Sequence, residues 1–138
     1  MDASRIVSRM YQGDAFSQWL GIEVVHVEPG KAVLSMTVRE EMINGFGIAH
    51  GGICYSLADS ALAFASNGHG RQALSIDTSI QHLAPVNPSD TLRAEVVEEH
   101  QSNRLGHYRV RITLNQTDTL VALFKGIVYR TDKPWEDE

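Results

Sequence analysis

Asn44-Gly-Phe-Gly-Ile-Ala-His50-Gly51-Gly52 runs without interruption into Ile53-Cys-Tyr-Ser-Leu-Ala-Asp59-Ser-Ala-Leu-Ala-Phe-Ala-Ser66. A glycine-rich turn therefore opens an apolar helix. Ile53, Leu57, Ala61 and Phe64 recur at spacings of four, four and three, the period of one helical face. Cys54, Ala58, Leu62 and Ala65 make the adjoining faces apolar as well, and a helix greasy on most sides is expected to be enclosed. Asn67-Gly68 reads as a left-handed cap, which bounds the helix at Gly52–Asn67. The first turn of a helix presents unpaired N–H groups with partial positive charge, and glycine lets the backbone press against a ligand. Asp59 is the one carboxylate on this helix, and an acid there is costly unless paired, protonated or at work. The chemistry of the chain is thereby placed between Asn44 and Asp59.

Upstream, Ile22–Glu28 and Lys31–Arg39 are rich in β-branched residues and nearly alternate, with Ala32, Leu34, Met36 and Val38 on one side. Glu28-Pro29-Gly30 between them is a turn signal, so the pair reads as a hairpin. Residues 3–20 pattern as one or two short helices. Ile6, Val7, Met10, Phe16, Trp19 and Leu20 form their apolar stripe, and Gly13-Asp14 breaks it. Downstream, Gln72–Val86, Leu92–His100, His107–Asn115 and Leu120–Tyr129 alternate with period two, as in Leu74, Ile76, Thr78, Ile80 and in Tyr108, Val110, Ile112, Leu114. Gly126 inside the last of these marks either a bulge or a close approach. The polar tail Asp132–Glu138 is expected to fray. Two strands, a helix and four strands predict an α+β domain in which an antiparallel six-stranded sheet wraps one long central helix. A sheet that curls round one helix leaves a face or edge poorly covered, so dimerisation is expected.

At 138 residues the chain is one domain's worth, residues 1–138. No stretch approaches the ~20 apolar residues of a membrane span. Asp2, Arg5, Arg9 and Asp14 interrupt the first twenty positions, which excludes a secretory leader there and makes a cytoplasmic location the expectation. A formal charge of −5, with Arg and Lys interspersed among Asp and Glu, speaks against a nucleic-acid partner. The six histidines are scattered without the short spacing of a metal site. Cys54, four residues after His50, raises the possibility of a Cys–His nucleophile pair, but a lone cysteine on an apolar helix with no third orienting group reads as core packing.

Asn44 stands six residues before His50-Gly51-Gly52, and Asp59 stands eight after Gly51. With Met10-Tyr11, Leu20-Gly21-Ile22, Asn44-Gly45, Ser56-Leu57-Ala58-Asp59, the Leu83-Ala84-Pro85 bend and Val121-Ala-Leu-Phe-Lys-Gly126, this order resembles the hotdog-fold thioesterases, specifically their phenylacetic acid degradation branch. The likeness covers nearly the whole chain. His-Gly-Gly alone is weak evidence, and Asn44-Gly45 alone would read as a hairpin turn; together with Asp59 and six correctly placed strands they are specific. The resemblance implies a hotdog fold, a homodimer forming a homotetramer, no metal and no cofactor, coenzyme A being part of the substrate. It also implies hydrolysis of acyl-CoA thioesters, with phenylacetyl-type or medium-size acyl groups favoured. Asn44 is then a donor to the thioester or to water, and His50 orients the turn or the acyl group. One departure is Ala84, where relatives often carry a basic residue before the proline; Arg71, Arg93, Arg104 and Lys125 are the candidates to hold the coenzyme phosphates instead.

Thioester hydrolysis passes through a tetrahedral intermediate whose oxygen gains charge, and donors aimed at that oxygen supply a large share of catalysis. The Gly51 N–H suits that role, and Asp59 is the candidate base or nucleophile. Eight helical residues advance about 12 Å, whereas reacting groups lie within about 3–3.5 Å of one another. Gly51 and Asp59 of one chain therefore do not serve one carbonyl, and a site shared between two subunits is expected. Two other functions compete. A hotdog hydratase or dehydratase would pair His50 with Asp59, but the glycine-led helix start and the Asp-to-His spacing disfavour it. A non-catalytic acyl-CoA-binding module would be marked by loss of Asp59 or Asn44, and both are present. Phe46, Ile48, Tyr55 and Leu62 are candidates to line the acyl pocket.

Overall fold

The computed structural model describes residues 1–137. Two short helices, α1 (Ala3–Gln12) and α2 (Ala15–Leu20), each start at an aspartate, because Asp2 and Asp14 accept the backbone N–H of the residue three further on. The break falls at Gly13-Asp14, as the sequence predicts. Ile6, Val7 and Leu20 are buried, but Phe16 and Trp19 are exposed and stack on each other beside Arg39. A six-residue helix can turn only a narrow face inward, and α2 spends it on Ser17 and Leu20.

The hairpin β1 (Glu23–Glu28) and β2 (Lys31–Thr37) turns at Pro29-Gly30, and the Gly30 N–H donates to the Ala65 carbonyl on the next helix. That helix, α3 (Gly51–Asn67), lies against a sheet completed by β3 (Arg71–His82), β4 (Thr91–Gln101), β5 (Leu105–Leu114) and β6 (Leu120–Pro134). Strand order is β1-β2-β4-β5-β6-β3, antiparallel throughout, so β1 and β3 are the edges. Leu57, Leu62 and Phe64 of α3 are buried with Leu34, Leu92, Val110, Ile112 and Phe124 from the sheet. Each such side chain is worth about 1.5–3 kcal/mol of burial, which holds α3 in place. Gly126 is a close approach and not a bulge. Its register with Thr78 and Tyr108 is regular, and a Cβ there would stand 2.5 Å from Leu62 Cδ2.

Three expectations fail. First, α3 is not enclosed all round: Gly52 is exposed, and Tyr55, Ser56, Asp59, Ser60 and Ala63 are half-buried, forming a partly open stripe that the sheet covers only in part. The apolar side of β3 is open too, with Leu74 and Ile76 68% and 61% exposed. Second, Gly68 keeps right-handed helical geometry, and the reversal comes at Gly70, where φ is +109°. Position 68 is packed closely, because a Cβ would sit 3.3 Å from Ala3, from the Ala65 carbonyl and from the Glu28 carbonyl. Third, the tail does not fray. Strand β6 runs on to Pro134, the Trp135 amide donates to the Gly70 carbonyl and its indole donates to Asn67 Oδ1. Arg5 pairs with Asp137, and Arg9 donates to the Glu136 carbonyl. Glu138 lies outside the described residues. Among the described residues no helix is long and apolar enough to cross a membrane.

Candidate active site

The loop before α3 is closed by hydrogen bonds from Asn44 N–H to the Ile48 carbonyl (2.7 Å) and from Gly47 N–H to the Asn44 carbonyl (3.1 Å). Asn44 Oδ1 accepts the Phe46 N–H at 2.9 Å, which fixes the orientation of the amide, and its NH2 group makes no hydrogen bond among the described residues. Next, His50 caps the helix: its Nδ1 accepts the Gly52 N–H at 3.1 Å. An accepting nitrogen carries no hydrogen, so the neutral ring holds its proton on Nε2. The Gly51 N–H makes no hydrogen bond among the described residues. Asn44, His50 and Gly51 line one cavity of about 420 Å3, together with Cys54, His82 and Ala84. Locally, this bond ties the His50 ring to the turn that opens α3.

His82 is the residue that sequence reading missed. It ends β3, and its Nε2 lies 3.1 Å from the place a Gly51 Cβ would occupy. Glycine at 51 thus makes room for an imidazole beside the first N–H of the helix. Six scattered histidines gave no spacing to find it by; its position just before the Leu83-Ala84-Pro85 bend was the available signal. Cys54 is buried, and burial pushes its thiol up to about 11, which keeps it protonated and inert at neutral pH.

Asp59 opens elsewhere. It lines a second cavity of about 380 Å3 with Leu62, Leu74, Val128 and Trp135 among its walls. Burial chiefly, and the neighbouring Asp14 charge next, hold its carboxyl above the ordinary carboxylate range. Among the described residues it joins no ion pair. A single protomer therefore brings Asn44, His50 and Gly51 together and keeps Asp59 apart, at the spacing of eight helical residues, about 12 Å. Of the acyl-pocket candidates, Ile48 lines the first cavity and Leu62 the second, whereas Phe46 is 90% exposed and Tyr55 is bonded to Thr78 on β3. Of the basic candidates, Arg71 is held by Asn103, Arg93 by Glu95 and Arg104 by Asp132, while Lys125 joins no ion pair among the described residues.

The family model described as Thioesterase superfamily matches residues 46–121, a span that includes His50, Gly51 and Asp59. The chain is 40% identical over 121 residues to the acyl-coenzyme A thioesterase PaaI of Escherichia coli (strain K12), covering 88% of this chain and 86% of that one. Among solved structures, the E. coli PaaI protein from the phenylacetic acid degradation operon superposes with a TM-score of 0.92 at 37% identity, over 96% of this chain and 95% of the other. The TT0310 protein of Thermus thermophilus superposes with a TM-score of 0.82 at 40% identity, over 86% and 98%.

Proposed function

Because the chain belongs to the thioesterase superfamily and has its hotdog fold, we propose that it hydrolyses acyl-CoA thioesters carrying phenylacetyl-type or medium-size acyl groups. The observation that carries this reading is the unpaired Gly51 N–H at the positive end of α3, in a cavity it shares with the amide of Asn44. As the thioester carbon becomes tetrahedral, its oxygen gains the charge that such donors stabilise. Asp59 acts either as base, taking a proton from the attacking water, or as nucleophile, forming an anhydride that water then cleaves. In both routes the carbon–sulfur bond breaks and coenzyme A leaves as its thiolate. A carboxylate raised above its usual range is the stronger base once ionised, which favours either role.

The active unit in this reading is a homodimer, further paired into a homotetramer, in the cytoplasm. Support comes from the open edge strand β3, whose Leu74 and Ile76 lie exposed beside the open stripe of α3. Unpaired strand edges and apolar side chains of this size call for a partner. Two-fold pairing lets the Gly51 end of one α3 meet Asp59 of the other, which removes the 12 Å mismatch within one chain. Thiol release from a panel of acyl-CoAs tests the activity: the wild-type chain is expected to release thiol and Asp59→Ala to lose it. Absence of release from every acyl-CoA would refute the reading. Co-expression of Asp59→Ala with Gly51→Pro tests the shared site. Random pairing gives mixed dimers with one intact site each, so about a quarter of wild-type activity should return; silent mixed dimers would refute sharing.

A further inference from the structure

Resting on the thioesterase reading, we propose that Trp135, from the C-terminal tail, is the end wall of the acyl pocket and sets the longest acyl group the enzyme accepts. The cavity at Asp59 is bounded by α1, α3, β3 and β6, and Met10, Leu62, Leu74, Val128 and Trp135 give it apolar walls. Its length follows α3 from Asp59 at one end to Asn67 at the other, eight residues or about 12 Å. Trp135 closes the Asn67 end. Its indole donates to Asn67 Oδ1 at 3.0 Å and its amide donates to the Gly70 carbonyl at 2.8 Å.

The wall is fixed, not a loose flap. Asn67 is buried and its amide is fully engaged, donating to the Ala63 and Ala73 carbonyls while accepting the Ala73 N–H. Displacing the indole would cost Asn67 Oδ1 one of its two hydrogen bonds and leave it the Ala73 N–H alone. The tail is held further along by Arg5 with Asp137 and by Arg9 with the Glu136 carbonyl.

The length converts to a substrate class. The reacting carbon stands about 3–3.5 Å from the carboxylate or its water, which leaves roughly 8–9 Å of the helical rise up to the level of Asn67, where the indole is bonded. Carbon–carbon bonds of about 1.52 Å advance an extended chain by about 1.3 Å each, so roughly six or seven carbons fit beyond the carbonyl. A phenylacetyl group or an eight-carbon acyl chain is accommodated. A twelve-carbon chain needs about 14 Å by the same spacing and meets the indole.

The test is kcat/KM for thiol release across straight-chain acyl-CoAs of increasing length and phenylacetyl-CoA, with wild type, Trp135→Ala, Trp135→Phe and Ala63→Phe. A misfit of single methylenes already discriminates by about tenfold or more. Wild type is therefore expected to fall at least about tenfold between eight and twelve carbons. Trp135→Ala should carry that fall to longer chains, so that its ratio of twelve-carbon to eight-carbon kcat/KM rises at least about tenfold over that of wild type. Trp135→Phe, which keeps a ring but loses the indole N–H bond to Asn67, should place the limit between those of wild type and Trp135→Ala, and Ala63→Phe, which fills the same cavity from α3, should shorten it. An unchanged limit in Trp135→Ala, or a loss uniform across all lengths, would overturn the assignment and leave the thioesterase reading intact. Failure of wild type on every acyl-CoA would bring down that reading, and the inference with it.

Discussion

Replacing Gly51 by proline separates the chemistry from the fold. Gly51 is the first residue of α3, and His50 before it has φ −59° and ψ 140°, the extended backbone that a residue preceding proline prefers. Proline is favoured at the first helical position because the N–H it removes has no partner within the helix, and the Gly51 N–H indeed makes no hydrogen bond among the described residues. The added Cβ meets His82 Nε2 at 3.1 Å, but His82 is exposed at the end of β3 and can swing aside. The expected stability change is under about 1 kcal/mol, or about 3–4 °C in melting temperature for a domain of this size. Removing an oxyanion donor costs about 10²–10³ in kcat, roughly 2.7–4 kcal/mol, and KM should barely move because that charge exists only in the transition state. The assay is steady-state thiol release from phenylacetyl-CoA, with a thermal melt on the same preparation. Gly51→Ala is the control, since it meets His82 in the same way but keeps the N–H; it should retain kcat within about tenfold. A folded Gly51→Pro protein with kcat as high as Gly51→Ala would refute the role given to this amide.

Asp59→Asn should abolish thiol release and yet raise the melting temperature at neutral pH. The carboxyl is held above its ordinary range by burial, so the native state binds its proton more tightly than the unfolded chain does. Stability therefore falls as pH rises from the unfolded carboxylate value through the raised native one, and the cost persists above it. Asparagine removes that cost, and an unchanged or lower melting temperature would count against it. For the same reason, wild-type kcat/KM should rise with pH along an acid limb centred above the usual carboxylate range. Gly126→Ala should destabilise by about 1–3 kcal/mol, or about 3–10 °C, because its Cβ would stand 2.5 Å from a buried Leu62 methyl; a melt within 1 °C of wild type would show room that the packing does not offer. His82→Phe should lower kcat about tenfold with little change in KM, as loss of one polar group beside the developing charge predicts, and His82→Gln should restore part of it. Equal rates in all three proteins would remove His82 from the reaction.

What was legible in the sequence is what repeats along it. The four-four-three spacing of Ile53, Leu57, Ala61 and Phe64 located α3, and the alternation in Tyr108–Leu114 located β5 to within two residues, because burial on one face leaves a periodic trace in residue type. The Asn44, His50 and Gly51 cluster was legible for a different reason. All three lie within eight residues of one another, so one turn and one helix start suffice to assemble them.

The elements misread are those whose environment is built by distant segments. Gly68 looked like a left-handed cap because glycine commonly serves that purpose. What requires glycine there is the approach of Ala3 and the Glu28 carbonyl, neither of which leaves a local mark. His82 carried only a weak mark, its place just before the Leu83-Ala84-Pro85 bend, and its nearness to Gly51 arises only when the fold brings the end of β3 to the start of α3. The tail looked free to fray because its composition is polar. Trp135 finds Asn67, sixty-eight positions earlier, and a single buried amide then ties together the end of α3, the start of β3 and the chain terminus. The open stripe around Asp59 belongs to the same class. Sequence read α3 as enclosed because nearly every face is apolar, yet one sheet covers only part of a helix. The uncovered remainder carries the acid, and in the proposed dimer it is this surface of α3 that a second copy of the chain would wall in.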